Sequence, residues 1–504
     1  MPTLKHALTG AAAAPASRPW PRFVVSSDLW RGLARQLADG LWTLSGMWGD
    51  AAMVHMALVD PKAGEMAVVS LVCEEGRFPS VAAFHPPAAR LERAIQDLFG
   101  YEPVGAPDQR PWLDHGRWPV RHPLGRRTPV SGEAAPYAFL AAEGEGLHQI
   151  PVGPVHAGII EPGHFRFAAS GETIVRLEER LGYVHKGVEA LMAGAPLDRA
   201  ARLAARTSGD STVAYSIAFA RAVENALNIP VPARAIWLRP LMAELERLAN
   251  HFGDIGAICN DAAFALIHAH TAVLRERVLR AAETCFGHRL MMDLVVPGGI
   301  GVDLTNYGQR RLQELFATIR DAFPPLVELY DKTASLQDRM MGTGRLRPEL
   351  ADQFGAGGVV GRASGRSFDA RRNFPYPPYD QLRFEIPTLA EGDVNARVWI
   401  RIREVEQSLG LIDQILDGAP SGEIRVEVSG ANESREGLAL VEGFRGDILA
   451  WVRLDADCAV ERCLLRDPSW FQWPLLEAVV EGNIVADFPL CNKSFNCSYS
   501  GHDL

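Results

Sequence analysis

Leu238, Leu241, Leu245, Leu248 and Phe252 fall at three- and four-residue steps and lay an apolar stripe along one side of a helix. Spacing of the same kind predicts helices over 173–192, 197–227, 234–252, 262–285, 307–336 and 394–416. So many long helices, each apolar on one side, bury those stripes only against one another. Pro240 sits near the start of the third and predicts a kink there. Before residue 152 the pattern is different. Met53-Val-His-Met-Ala-Leu-Val and Met66-Ala-Val-Val-Ser-Leu-Val-Cys alternate and read as strands. A helix is expected over 86–99, with Leu91, Ile95 and Leu98 on one face. Short β segments are expected over 165–169, 424–429 and 447–454. The fold class is therefore α+β, a small α+β unit followed by a large, mainly helical one. The expected division is a disordered Ala- and Pro-rich start over 1–21, a first domain with an extended arm over 22–135, a linker over 136–150 and a second domain over 151–504.

The chain has 504 residues, of which 47% are hydrophobic, so it can bury a large core without disulfides. Its net charge of -10 argues against a nucleic-acid partner. No apolar run reaches the ~18 residues of a membrane span. Ala11–Ala14 is cut short by Pro15 and is too brief for a signal-peptide core, so a cytoplasmic chain is expected, touching a membrane only through partners. The seven cysteines are odd in number and read as reduced thiols. Two of them, Cys491 and Cys497, stand in the run Asp487-Phe-Pro-Leu-Cys-Asn-Lys-Ser-Phe-Asn-Cys-Ser. With His502 they offer three donors, too few for a structural zinc site. Glu244 and His251, two helical turns apart, read as a satisfied structural pair. Arg362, Arg366, Arg371 and Arg372 read as an ion-pair or intersubunit segment.

Glu92-Arg-Ala-Ile-Gln-Asp-Leu-Phe-Gly followed by Asp108-Gln-Arg-Pro-Trp-Leu-Asp-His-Gly resembles the small C-subunit of respiratory complex I. Gly153-Pro-Val-His-Ala-Gly-Ile-Ile-Glu-Pro-Gly-His-Phe-Arg-Phe, Leu181-Gly-Tyr-Val-His-Lys-Gly, Met291-Met-Asp-Leu-Val-Val-Pro-Gly-Gly and Arg362-Ala-Ser-Gly-Arg-Ser-Phe-Asp-Ala-Arg-Arg resemble the complex I D-subunit and the large subunit of membrane-bound [NiFe] hydrogenases. The fused order resembles the large subunit of formate hydrogenlyase-type complexes. The resemblance implies a hydrogenase-large-subunit fold and a small partner of the complex I B-type carrying a [4Fe–4S] cluster. It also implies further hydrophilic-arm subunits, and a membrane arm that holds the chain at the inner face of the cell membrane.

The family's nickel is held by two Cys-x-x-Cys pairs, because thiolates suit soft transition metals. Laid on Arg202-Leu-Ala-Ala-Arg-Thr-Ser-Gly-Asp, the first pair falls on Ala204 and Thr207, or in a shifted alignment on Ser208 and Ser211. None is a thiolate, and Cys491 and Cys497 have five residues between them instead of two. The tyrosine that complex I offers to quinone falls on Ala205, and its opposing histidine has only His164 or His156 as an equivalent. The chain is thus expected to bind no metal or cofactor itself. The pocket implied between these loops would hold Glu161, His164, Asp210, Ser211 and Cys491 as groups able to carry protons. His185 and Lys186 match the His-Arg beside the partner's iron–sulfur cluster. These matches imply a quinone- or substrate-reduction chamber in a complex I-like redox complex. The alternatives are a non-catalytic scaffold between electron-transfer subunit and membrane arm and, with the thiolates missing, a [NiFe] hydrogenase as the least supported.

Overall fold

The computed structural model describes residues 3–14, 16–129, 136–430 and 433–504. The chain is a mixed α and β fold, with an N-terminal α+β part and a larger helical part, as the sequence patterns predict. The first sheet runs in the order Ala12–Ala14, Arg22–Val24, Glu65–Val72, Met53–Asp60, Thr43–Gly49. The helices Ser27–Ala38 and Ala89–Phe99 cover one face. Ser26 caps the first by accepting from the Leu29 N–H, and the second stops at Gly100, whose φ of 78° suits a residue without Cβ.

The other face of that sheet is buried too. Val54, Met56 and Leu58 point to the helices, while Ala57 and Val59 pack on Leu438, Leu440, Leu449 and Trp451 of a second sheet. That second sheet is ordered Val460–Arg466, Gly446–Leu454, Arg435–Gly443, Ser17–Arg18. Trp48 and Trp451 meet at 5.4 Å across the interface, with His55 against both. The two expected domains therefore share cores and are not separate units. Residues 130–135, at the end of the expected first domain, lie outside the described residues. In the expected linker, the Tyr137 hydroxyl accepts from Arg93 at 2.8 Å, and Leu147–Val152 is a strand paired with His164–Ser170. The expected disorder over 1–21 is also corrected. Leu4 and Leu8 are buried, and Ala12–Ala14 and Ser17–Arg18 each join a sheet.

Helices occupy Leu197–Ala204, Thr212–Leu227, Ala233–Asp261, Ala265–Phe286, Asn306–Lys332 and Val394–Gly418. The stripe from Leu238 to Phe252 is wholly buried, and its helix runs on through Pro240. The helix expected over 173–192 is instead a strand, Thr173–Arg180, and a short helix, Val188–Met192. Segment 424–429 is no strand. It meets Gly299–Ile300 through the Gly299–Arg425 bridge, and that neighbour is too short to define a ladder.

Candidate functional site

Three segments far apart in sequence meet: the turn 153–163, the loop 205–211 and the tail 496–504. The turn is closed by close approach. A Cβ on Gly153, at φ 83°, would fall 2.3 Å from the Gly163 carbonyl oxygen, and one on Gly163 would fall 2.6 Å from the Tyr499 ring. The tail docks through backbone donors: the Ser500 N–H reaches Glu161 Oε2 at 3.0 Å. The Tyr499 hydroxyl lies 3.4 Å from His156 Nε2. His164 is buried, its Nδ1 is 3.2 Å from the Gly153 carbonyl and its Nε2 has no partner. Burial pushes its imidazole below the usual range.

The loop is fastened to the tail by hydroxyls and one arginine. Ser208 Oγ is 2.9 Å from both Ser498 Oγ and Asp210 Oδ1. Arg445 grips Asp210 with two arms, at 2.7 and 2.5 Å, donates to Ser211 Oγ at 3.1 Å, and reaches the Asn496 carbonyl through Nε. Burial opposes ionisation of Asp210, but the guanidinium more than offsets it and holds the carboxyl below its usual range. Behind Ser498, the Ser469 hydroxyl accepts from the Ser498 N–H, and Tyr215 donates to Asp467 at 2.5 Å. Lys186 Nζ donates to the carbonyls of Thr207 and Arg206 at 2.7 and 3.2 Å, so this cation also ties the loop down. Its neighbour His185 bonds the Asp503 carbonyl through Nδ1 at 2.7 Å and stacks on Trp118.

The structure thus brings Glu161, Asp210, Ser211, His185 and Lys186 to the meeting of turn, loop and tail, while His164 packs on Phe139 and its strand neighbour Phe165 takes the side toward Tyr499. Cys491 goes elsewhere. It is buried on the helix Phe488–Phe495, with its sulfur against Gly344 and beside Arg397, and burial pushes the thiol up to about 12. Ser498, next to Cys497, is the tail residue that bonds the loop. Ala204 and Thr207 are buried, and Thr207 Oγ1 has no partner. A methyl group cannot ligate nickel, so the family's nickel does not fit this donor set. Among the described residues no group of three His, Cys, Asp or Glu side chains could hold a metal ion. His502 serves packing, stacked on Trp470 at 4.0 Å.

Sequence reasoning missed Arg445, which carried no local signal, and Ser498, Tyr499 and Asp503, whose only signal was the polar run Ser498-Tyr-Ser-Gly-His-Asp. It also missed how far the arginine segment is buried. Arg362, fully buried, joins Glu404 at 2.6 Å, Glu442 at 2.9 Å and Asp369 at 3.3 Å. Arg371 joins Asp369 and Glu244, while Arg372 is exposed and Arg366 lies on a phenylalanine ring. Glu244 and His251 are not a pair: Glu244 takes Arg247, Arg371, Tyr379 and Ser408, and His251 takes Glu404 at 2.7 Å.

Residues 23–134 match the family of the respiratory-chain NADH dehydrogenase 30 kDa subunit, and residues 263–436 that of its 49 kDa subunit. The chain is 33% identical to formate hydrogenlyase subunit 5 of Escherichia coli (strain K12), over 86% of this chain and 78% of that one. It is 27% identical to the fused C/D-type subunit of the NADH-quinone oxidoreductase of Phocaeicola vulgatus, over 83% and 86%. A chain of the membrane-bound sulfane sulfur reductase, an archaeal respiratory membrane complex, superposes with a TM-score of 0.68 at 27% identity, over 71% of this chain and 99% of that chain. Among the described residues no helix is long and apolar enough to cross a membrane. The two matched models in one chain, and the relatives that span both, place it in the family of fused 30 kDa- and 49 kDa-type subunits of complex I-like oxidoreductases.

Proposed function

We propose that the chain forms one wall of a chamber in which a quinone, or another substrate taking two electrons and two protons, is reduced beside a partner's iron–sulfur cluster. The observation that carries this reading is the turn 153–163. It presents Glu161 and His156 next to the tail, and its tip exposes Ile159 (98%) and Val155 (77%). Large apolar side chains that exposed suit a protein partner. A partner seated on the tip would close the space over Glu161 and exclude water, which strengthens every electrostatic interaction inside. Electrons come from the partner's cluster. Protons reach the substrate oxygens from groups on this wall, Glu161 and the His156–Tyr499 pair being the ones that contact the tail. Lys186, beside Glu161, adds positive charge that favours the reduced cluster. The chain reaches the membrane through other subunits at its inner face.

The scaffold reading keeps one observation in its favour: Asp210 is fully engaged by Arg445, which suits clamping. Glu161→Gln in the intact membrane complex separates the two. We expect full assembly with at least a tenfold loss of quinone or substrate reduction. Unchanged turnover in an assembled complex would leave the scaffold role standing.

A further inference from the structure

Glu179 is the last residue but one of the strand Thr173–Arg180, Glu477 lies on the helix Ser469–Val480, and Arg90 belongs to the helix Ala89–Phe99 of the N-terminal part. Arg90 Nη1 donates to Glu179 Oε2 at 3.1 Å and Nη2 to Glu477 Oε1 at 2.8 Å. The Glu179 N–H also donates to Glu477 Oε1, at 2.8 Å. Glu179 Oε1 is buried and has no partner. Two carboxylates therefore share one guanidinium.

Among the described residues no second cation bonds either carboxylate, and Arg93 acts on Glu477 only through space. Arg93 is spent on Asp108, the Arg110 and Pro111 carbonyls and Tyr137. Glu178, facing Glu477, is negative and held by Arg110. Cys497 and Tyr499 of the tail face Glu179 and offer protons, not charge. Two like charges at one buried site with one counter-ion cannot both ionise. Burial, then the neighbouring Glu477 charge, holds the Glu179 carboxyl well above the usual range against the pull of Arg90.

We propose that Glu179 and Glu477 share one exchangeable proton, carried on the free Glu179 Oε1, and that the pair delivers it to the tail side of the candidate chamber. The route has two ends. The Glu477 side chain is 25% exposed and meets solvent, while the Glu179 side chain is wholly enclosed. On the inner side Tyr499 faces Glu179, and its hydroxyl meets His156 on the turn. The delivery role rests on the reduction-chamber reading; the shared proton does not.

Infrared difference spectroscopy on the intact complex tests the proton directly. The wild type should show a protonated-carboxyl C=O band at neutral pH that shifts in deuterated water. Glu179→Gln, which mimics the protonated acid and keeps the fold, should remove it. Glu477→Gln should remove it as well, because a single carboxylate facing Arg90 ionises. A wild-type-minus-variant difference spectrum that lacks this band, for either change, overturns the shared proton. Turnover is then read with reduced methyl viologen as donor and a short-chain ubiquinone as acceptor. Glu179→Gln should lower kcat several-fold with KM unchanged and flatten the pH profile. Loss of the band with unaltered kcat and pH profile overturns delivery while leaving the shared proton. Failure of Glu161→Gln to change turnover would instead overturn the chamber.

Discussion

Arg362→Met removes the one cation that Glu404, Glu442 and Asp369 all touch. At an effective dielectric of about 20, contacts of 2.6 and 2.9 Å are each worth roughly 6 kcal/mol of Coulomb attraction. Freeing the guanidinium from burial returns several kcal/mol, and Arg371, Arg247 and His251 still serve Asp369 and Glu404. Glu442 is the carboxylate left without a cation, so the net loss should be about 3–5 kcal/mol, the usual cost of breaking a buried pair. That loss should depend on pH. Burial, and then the neighbouring Asp369, already raise Glu442 to about 7 against the pull of Arg362. A carboxyl raised in the fold contributes stability that is complete below its unfolded value of about 4.3 and is lost as pH rises through its folded value. Without Arg362 the folded value climbs further, so the variant keeps losing stability above pH 7 where the wild type has levelled off. Chemical denaturation of the assembled chain from pH 6 to pH 9 measures this. A loss under about 1 kcal/mol, or one constant across that range, would refute the assignment of Arg362 as the counter-ion of Glu442.

Elemental analysis of the complex should find iron but no stoichiometric nickel, since Ala204 and Thr207 occupy the thiolate positions; about one nickel per chain would contradict this. Lys186→Ala should lower the reduction potential of the partner's cluster, because it removes nearby positive charge, and a redox titration with no shift or an upward one would count against the placement. Cys491, its thiol pushed up to about 12 by burial, should label slowly with a thiol reagent in the intact complex. Gly344→Ala should cost about 1–3 kcal/mol, because its Cβ would lie 2.6 Å from the Cys491 sulfur at a φ of 58°. Adding Cys491→Ala should recover the steric share of that loss, which thermal unfolding of the two variants compares.

Local pattern made the helical part legible, because a stripe such as Leu238 to Phe252 is a property of one segment. The strand Thr173–Arg180 was misread for a specific reason. A bulge leaves Val175 outside the ladder, with Ile174 opposite Ala169 and Arg176 opposite Ala168. Ile174 and Leu177 then share a face at a three-residue step and mimic a helix. Alternation showed the strands of the first sheet but not that both faces are covered, since Ala57 and Val59 meet a sheet encoded far downstream. The motifs led to the turn, the loop and Lys186. The clamp on Asp210 was out of reach, because its arginine stands 235 residues away and nothing near either residue announces the other. The tail was half legible: its run from Asp487 carries the apolar Phe488, Leu490 and Phe495, and all three are buried. Which of its residues faces the loop was decided by the helix around Cys491.

The two sheets that pack face to face also set the order in which the chain can mature. Arg22 on the first sheet is bound to Glu436 on the second, 414 residues later, and Ser17–Arg18 completes that second sheet as an edge strand. During synthesis the N-terminal sheet emerges with Trp48, Ala57, Val59 and Val68 uncovered, and it stays so until the strands from Arg435 to Arg466 arrive. Contacts of such range form late and leave an aggregation-prone face on the nascent chain. Carrying both halves on one polypeptide answers this hazard: the covering sheet arrives at a tethered, effectively millimolar concentration and in equal number, whatever the expression level.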